Sequence, residues 1–177
     1  MRVFVILIIS FLGGCDVPNR EISYKLKVRD WPKQVVVLGP EQTAIQYIGL
    51  QEREDRQELI NLLEIDPVRV EWCAAFVNAV LEESDIVSNN DHAYPLTARA
   101  FLDWGQKVSK EDIQPGDIVV FPRGNQGWQG HVGFFIKKEV INNITFYMIL
   151  GGNQDNQVSI KAYRASRALG IRRRSPI

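Results

Sequence analysis

The segment Trp72-Cys73-Ala74-Ala75-Phe76-Val77-Asn78-Ala79-Val80-Leu81 decides the architecture, because it predicts a helix that is apolar around most of its circumference. We expect this helix to begin near Trp72, after a break at Pro67, and to run to about Glu83. A helix that is apolar on several sides is covered on several sides, so it predicts a central and rigid element. Cys73 falls in its first turn.

The residues before this helix predict further helices, and the residues after it predict a sheet. Gly39-Pro40 precedes a helix over about 41–48, and a second helix follows with Leu59, Leu62 and Leu63 as its buried face. Residues 97–104 predict a short helix ended by Gly105. After Gly105 the periodicity changes to that of strands, which we predict at 118–121, 132–137, 144–150, 158–163 and 169–173. A further strand is predicted near the start of the chain, at 35–38. Five strands with tight connections and no intervening helix predict an α+β fold with the helices on one side of a curled antiparallel sheet.

The first fifteen residues predict an export signal. Arg2 is followed by an apolar run over 3–12, which is shorter than the roughly 20 residues that a membrane span needs, and Gly13-Gly14 precede Cys15. The pattern resembles a bacterial lipobox, which implies that Cys15 becomes the mature N-terminus and carries lipid; an ordinary cleaved signal that contains a cysteine is the alternative. We therefore divide the chain into a signal peptide (1–14), a tether (15–32) and one domain (33–177).

Composition narrows the range of partners. The chain of 177 residues has 21 Lys and Arg against 21 Asp and Glu, and this balance argues against a nucleic-acid partner. If Cys15 is lipidated, Cys73 is the one thiol left and no internal disulfide forms. A lone cysteine is often a small buried core residue, which is the structural alternative to a catalytic role.

A candidate catalytic histidine lies in the segment Gly130-His131-Val132-Gly133, at the start of a predicted strand. A thiol at a helix N-terminus with an imidazole nearby is the arrangement that yields a reactive thiolate, so we expect Cys73 to be a thiolate paired with charged His131. The second histidine, His92, lies in the polar loop 89–92 and favours a solvated role.

A cysteine at the start of a central helix, a Pro115-Gly116-Asp117 turn into a strand, and Gly130-His131-Val132 opening the next strand together resemble the CHAP and NlpC-type cell-wall hydrolases of the papain-like superfamily. With Gly151-Gly152-Asn153-Gln154, the motifs resemble a subfamily common in bacteria and in phage lysis proteins. The resemblance extends over about 41–174.

The resemblance implies a papain-like fold and a peptidoglycan hydrolase that cleaves an amide of the peptide stem through an acyl-enzyme. It implies Cys73 as nucleophile, His131 as base and a polar residue that orients the imidazole, for which we choose Asn153 over Gln154. Amidase and endopeptidase activities both remain open, as do a non-catalytic wall-binding lipoprotein and an acyltransferase or deamidase.

Two further residues are candidates for substrate binding, namely Trp128 as part of an aromatic wall with Trp72, and Gln154. For both tryptophans, core packing is the alternative. One thiol and two scattered histidines match no zinc-ligand spacing, so we expect neither a metal nor a cofactor. We expect a monomer of bacterial or phage origin that is exported and attached to a membrane by lipid on Cys15.

Overall fold

The structure is a computed structural model, and it describes residues 39–175. The predicted signal peptide, the lipidation site at Cys15, the tether and the predicted strand at 35–38 lie outside the described residues. Among the residues that are described, no helix is long and apolar enough to cross a membrane.

Within residues 39–175, three α-helices precede the sheet along the chain, and they follow the sequence prediction closely. They are α1 (Pro40–Ile45), α2 (Arg56–Leu63) and α3 (Cys73–Glu83), and the short helix predicted at 97–104 is a 3₁₀ helix (Ala98–Leu102). Residues 73–81 of α3 are all buried, so the expected central helix is confirmed. Its buried surface makes α3 a rigid mount for the residue at its start.

The part of the chain that the structure describes has six strands, which form one antiparallel sheet. They are β1 (Gln106–Lys107), β2 (Ile118–Pro122), β3 (Gly130–Ile141), β4 (Ile144–Gly151), β5 (Ser159–Arg164) and β6 (Gly170–Arg173), in the spatial order β1-β6-β2-β3-β4-β5. The five predicted strands correspond to β2 to β6. The sequence missed β1, which has two residues and is too short to show a period. The α+β class is thus confirmed, with one strand more than expected.

Ring packing shows that the sheet is curled. Adjacent strands lie about 4.8 Å apart, so β2 and β5, three positions apart, would be about 14 Å apart in a flat sheet. The rings of Phe121 on β2 and Tyr163 on β5 nevertheless stack with their centroids 4.7 Å apart. One face of the sheet is therefore concave, and these two rings lie on it.

Each face of the sheet has its own hydrophobic core. One core lies between α1 to α3 and the sheet, with Val120, Val132, Phe134 and Leu150 contributed by the strands. The other core covers the concave face and includes Val119, Phe121, Phe135, Tyr147 and Ile149. Alternate residues of each strand thus serve opposite cores, as the period of two requires.

An ion pair with a buried carboxylate joins the last strand to the predicted turn before β2. Asp117 is 2% exposed and accepts hydrogen bonds from Arg173 Nε at 2.6 Å and Nη2 at 2.8 Å. The same carboxylate accepts the backbone N–H of Gln114 at 2.8 Å, which closes the turn. The turn and the C-terminal strand therefore hold each other in place.

Candidate active site

Cys73 is the first residue of α3, where the N–H groups of the helix have no side-chain cap. Its side chain is 4% exposed. Burial raises the pKa of the thiol, and the nearby backbone N–H groups of Val132 and Ala74 act on it in the opposite direction. Because Val132 follows His131 directly, the thiol lies near the start of β3.

His131 is the second residue of β3 and is 2% exposed. Its Nε2 lies 3.1 Å from Gln154 Oε1. Gln154 Nε2 donates to the carbonyl oxygens of Ile149 and Ser159, so the amide oxygen faces the ring and Nε2 carries the imidazole proton. The other ring nitrogen, Nδ1, is buried and has no hydrogen-bond partner among the described residues. That nitrogen is the one available to accept a proton.

Tyr163 fixes the plane of the imidazole. Its ring lies nearly parallel to that of His131, at 15°, with the centroids 5.3 Å apart, and Phe121 stacks on the same tyrosine. No local sequence pattern indicates this contact, because Tyr163 lies two strands away from His131 and reaches it through the curl of the sheet. Burial raises the pKa of Tyr163 to about 12, so its hydroxyl stays protonated.

Asn153 does not contact the imidazole, so our expectation for this residue is wrong in its geometry. Its Nδ2 donates to Glu71 Oε2 at 2.7 Å, and its carbonyl oxygen accepts from Arg123 Nη2 at 3.1 Å. Strand β4 ends at Gly151, and Asn153 then adopts a left-handed φ of 56°, which turns the next side chain, that of Gln154, toward His131. The backbone reverses direction after β4, and the strand period of two does not predict this reversal. The residue that faces His131 is therefore Gln154 and not Asn153.

Gln154 is also not placed to bind substrate. It is 2% exposed, and its amide hydrogen-bonds His131 and two backbone carbonyls. Its geometry is that of an orienting residue, so the substrate-binding expectation is corrected.

A groove of about 370 Å³ opens beside the thiol. Glu71, Cys73, Arg123 and Trp128 are among its lining residues. Trp128 is 66% exposed on this wall, whereas Trp72 is fully buried in the core, so the aromatic wall consists of one tryptophan and not two. Arg123 was not among the predicted site residues, although a charged residue two positions after a predicted strand was an available signal.

The resting electrostatics differ from the expected thiolate and imidazolium pair. Burial raises the pKa of the Cys73 thiol, against the opposite effects of the Val132 N–H and the Arg123 charge. Burial also lowers the pKa of His131 from 6.5 to about 4, and the Arg123 charge acts in the same direction. Both groups are therefore neutral at pH 7, and the arrangement corresponds to a thiol with a general base.

His92 lies away from this groove. Its Nδ1 accepts the backbone N–H of Tyr94 at 3.0 Å, and its Nε2 lies 3.9 Å from Asp103 Oδ2. These local contacts agree with a loop role.

An α+β domain that sets a helix-terminal thiol against a strand with a buried, oriented imidazole has the architecture of thiol hydrolases. The chain belongs to the CHAP domain family, which matches residues 65–153, just over half of its length. CHAP domains are generally cysteine- and histidine-dependent hydrolases of peptidoglycan. The matched segment contains Cys73, His131 and Asn153 and ends one residue before Gln154. No curated protein matches the chain.

Proposed function

We propose that this protein is a peptidoglycan amidase or endopeptidase that cleaves an amide of the peptide stem, with Cys73 as nucleophile, His131 as general base and Gln154 as the orienting residue. Membership of the CHAP family supports the substrate and the reaction class. The geometry of the groove supports the roles of the individual residues.

One observation carries the proposal. His131 has one nitrogen engaged by Gln154 and the other, Nδ1, buried without a partner among residues 39–175, while the thiol of Cys73 lies near the backbone N–H of the very next residue, Val132. An unpartnered buried acceptor costs about 1–3 kcal/mol, and such a cost is expected where the group has a chemical task. The groove lets a substrate reach this position.

The reaction starts from the neutral pair. As Sγ attacks the carbonyl carbon, its proton moves to Nδ1 of His131, and the imidazolium that forms is stabilised through Nε2–H by Gln154 Oε1. The backbone N–H of Cys73, at the uncapped helix start, donates to the developing oxyanion. His131 then protonates the leaving amine, the amide C–N bond breaks, and water activated by His131 releases the acyl group from sulfur.

Digestion of purified peptidoglycan tests this proposal, with the released fragments identified by mass spectrometry. The new amine and carboxyl ends identify the cleaved bond, and so separate amidase from endopeptidase. Cys73→Ala should abolish release while far-ultraviolet circular dichroism stays unchanged, because alanine suits a helix. Activity that survives in Cys73→Ala would refute the mechanism.

The same digestion separates the alternatives. A wall-binding protein would sediment with peptidoglycan and release nothing from it. An acyltransferase would pass the acyl group to an added amine, such as glycinamide, in preference to water, and the product would carry the mass of that amine.

Attachment to a membrane through lipid on Cys15 is also part of the proposal, and it rests on the sequence of residues 1–15. Cys15→Ser should abolish incorporation of a labelled fatty acid and shift the protein from the membrane to the soluble fraction. Incorporation that persists in Cys15→Ser would overturn it.

A further inference from the structure

Arg123 lines the groove beside Cys73 but takes no proton in the mechanism above. It follows β2 directly, and its side chain is 43% exposed. Nη2 donates to the carbonyl oxygen of Asn153 at 3.1 Å, which anchors one arm of the guanidinium. Among the described residues, no other hydrogen bond involves this side chain. Nη2 carries a second N–H, which forms a two-donor edge with either Nε or Nη1, and this edge is available to a molecule in the groove.

Glu71 is the neighbouring carboxylate, yet it does not occupy the guanidinium fork. Its Oε2 accepts from Asn153 Nδ2 at 2.7 Å and lies 3.7 Å from Arg123 Nη1, which is beyond hydrogen-bond distance. The carboxylate is 79% exposed, so solvent screens its attraction for the arginine. The amide of Asn153 therefore holds the Glu71 carboxylate in a position where it makes no hydrogen bond to the guanidinium of Arg123.

An anchored guanidinium with open donors suits one class of ligand. Its planar N–H groups match the two oxygens of a carboxylate, and such charge-assisted bonds are about twice as strong as neutral ones. The bond to Asn153 also reduces the side-chain freedom that a ligand would have to restrict on binding. The exposed ring of Trp128 lies on the wall of the same groove and can cover the apolar part of a bound peptide.

We propose that Arg123 binds a free carboxylate of the stem peptide, carried by a residue next to the scissile amide, and so makes the enzyme selective for stems whose carboxyl groups are not amidated. This inference rests on the proposed hydrolase function. It deepens that function by naming the chemical group that the groove recognises.

The test compares two stem peptides that differ only in a free carboxyl group or a carboxamide beside the cleaved bond. We expect the wild-type protein to have a kcat/KM about 10- to 100-fold higher for the free acid, the range that one charge-assisted hydrogen-bonded pair supplies. Arg123→Gln should bring this ratio close to one. Arg123→Lys should leave an intermediate ratio, because it keeps the charge and loses the fork.

Lys137→Gln is the matched control, since it removes one positive charge from an exposed side chain of β3 that pairs with Glu139. Its ratio should equal that of the wild type. Equal kcat/KM values for the two peptides in the wild type would overturn the inference. A fall in Arg123→Gln that is the same for both peptides would also overturn it, and would assign Arg123 to holding Asn153.

Titration calorimetry with Cys73→Ala separates this inference from the proposed function. Tighter binding of the free acid by Cys73→Ala, lost in the double variant with Arg123→Gln, supports the carboxylate site whether or not the wild type hydrolyses the peptide. Equal binding of both peptides refutes the site even if hydrolysis is observed.

Discussion

The exchange of roles between Asn153 and Gln154 leads to a sharp prediction for Gln154→Met. Methionine has nearly the same length and volume, so the substitution removes hydrogen bonds and leaves little cavity. The imidazole Nε2–H loses its acceptor at 3.1 Å, and the carbonyl oxygens of Ile149 and Ser159 lose a donor. His131 and Ile149 are buried, whereas Ser159 is half-buried and can turn to water. At about 1–3 kcal/mol for each of the two buried groups left unpaired, we expect a loss of about 2–6 kcal/mol in the free energy of unfolding.

The same variant should lose catalysis beyond its loss of stability. The bond from Nε2–H to Oε1 strengthens as His131 becomes charged, and a charge-assisted bond contributes about 1.5–3 kcal/mol, so kcat should fall about 10- to 100-fold. The measurement is kcat on a stem peptide at a temperature where urea unfolding shows the variant to be fully folded.

Asn153→Gly is the matched comparison. Glycine adopts the left-handed φ of 56° without strain, so this variant loses the bond to Glu71 and leaves the His131–Gln154 bond in place. It should keep most of its activity on a stem peptide with a carboxamide, whose cleavage does not depend on Arg123. If Asn153→Gly were the more damaged of the two variants, our assignment of Gln154 as the orienting residue would be wrong.

Three further outcomes are expected. The pKa of His131 is about 4 in the folded protein, below its ordinary 6.5. Between pH 4 and pH 6.5, the unfolded chain therefore binds more protons at this residue than the folded protein does. The stability that neutral His131 contributes is fully present above pH 6.5, and about 3 kcal/mol of it is lost by pH 4. Urea unfolding at a series of pH values should show that the free energy of unfolding changes less with pH in His131→Gln than in the wild type. Tyr163→Phe keeps the ring that stacks on His131 and should retain kcat, whereas Tyr163→Leu should lower kcat more than it raises KM. Equal losses of kcat in the two variants would contradict this role for the ring. Arg173→Ala removes both arginine hydrogen bonds to Asp117 and leaves the carboxylate with the Gln114 N–H. Because the Arg173 side chain is 36% exposed, water can replace part of what is lost, so the cost should be about 1–3 kcal/mol in thermal or urea unfolding, and Asp117→Asn with Arg173→Gln should recover part of it.

The sequence by itself determined the order of elements and the positions of the two groups that we propose to react. The apolar circumference of residues 73–81 defined a central helix, and the change of period after Gly105 defined the strands, because each pattern is a local consequence of backbone geometry. The same local signals put Cys73 at a helix start and His131 at a strand start, where the structure has them.

Only the tertiary structure decided the surroundings of those two residues. The left-handed backbone at Asn153 turned Gln154 toward the imidazole, and the curl of the sheet brought Tyr163 from β5 onto the same ring. Burial made the thiol and the imidazole neutral, since desolvation depends on everything packed around a group and outweighs the local effect of the helix N-terminus. These properties arise from residues that are distant along the chain, and no local period encodes them.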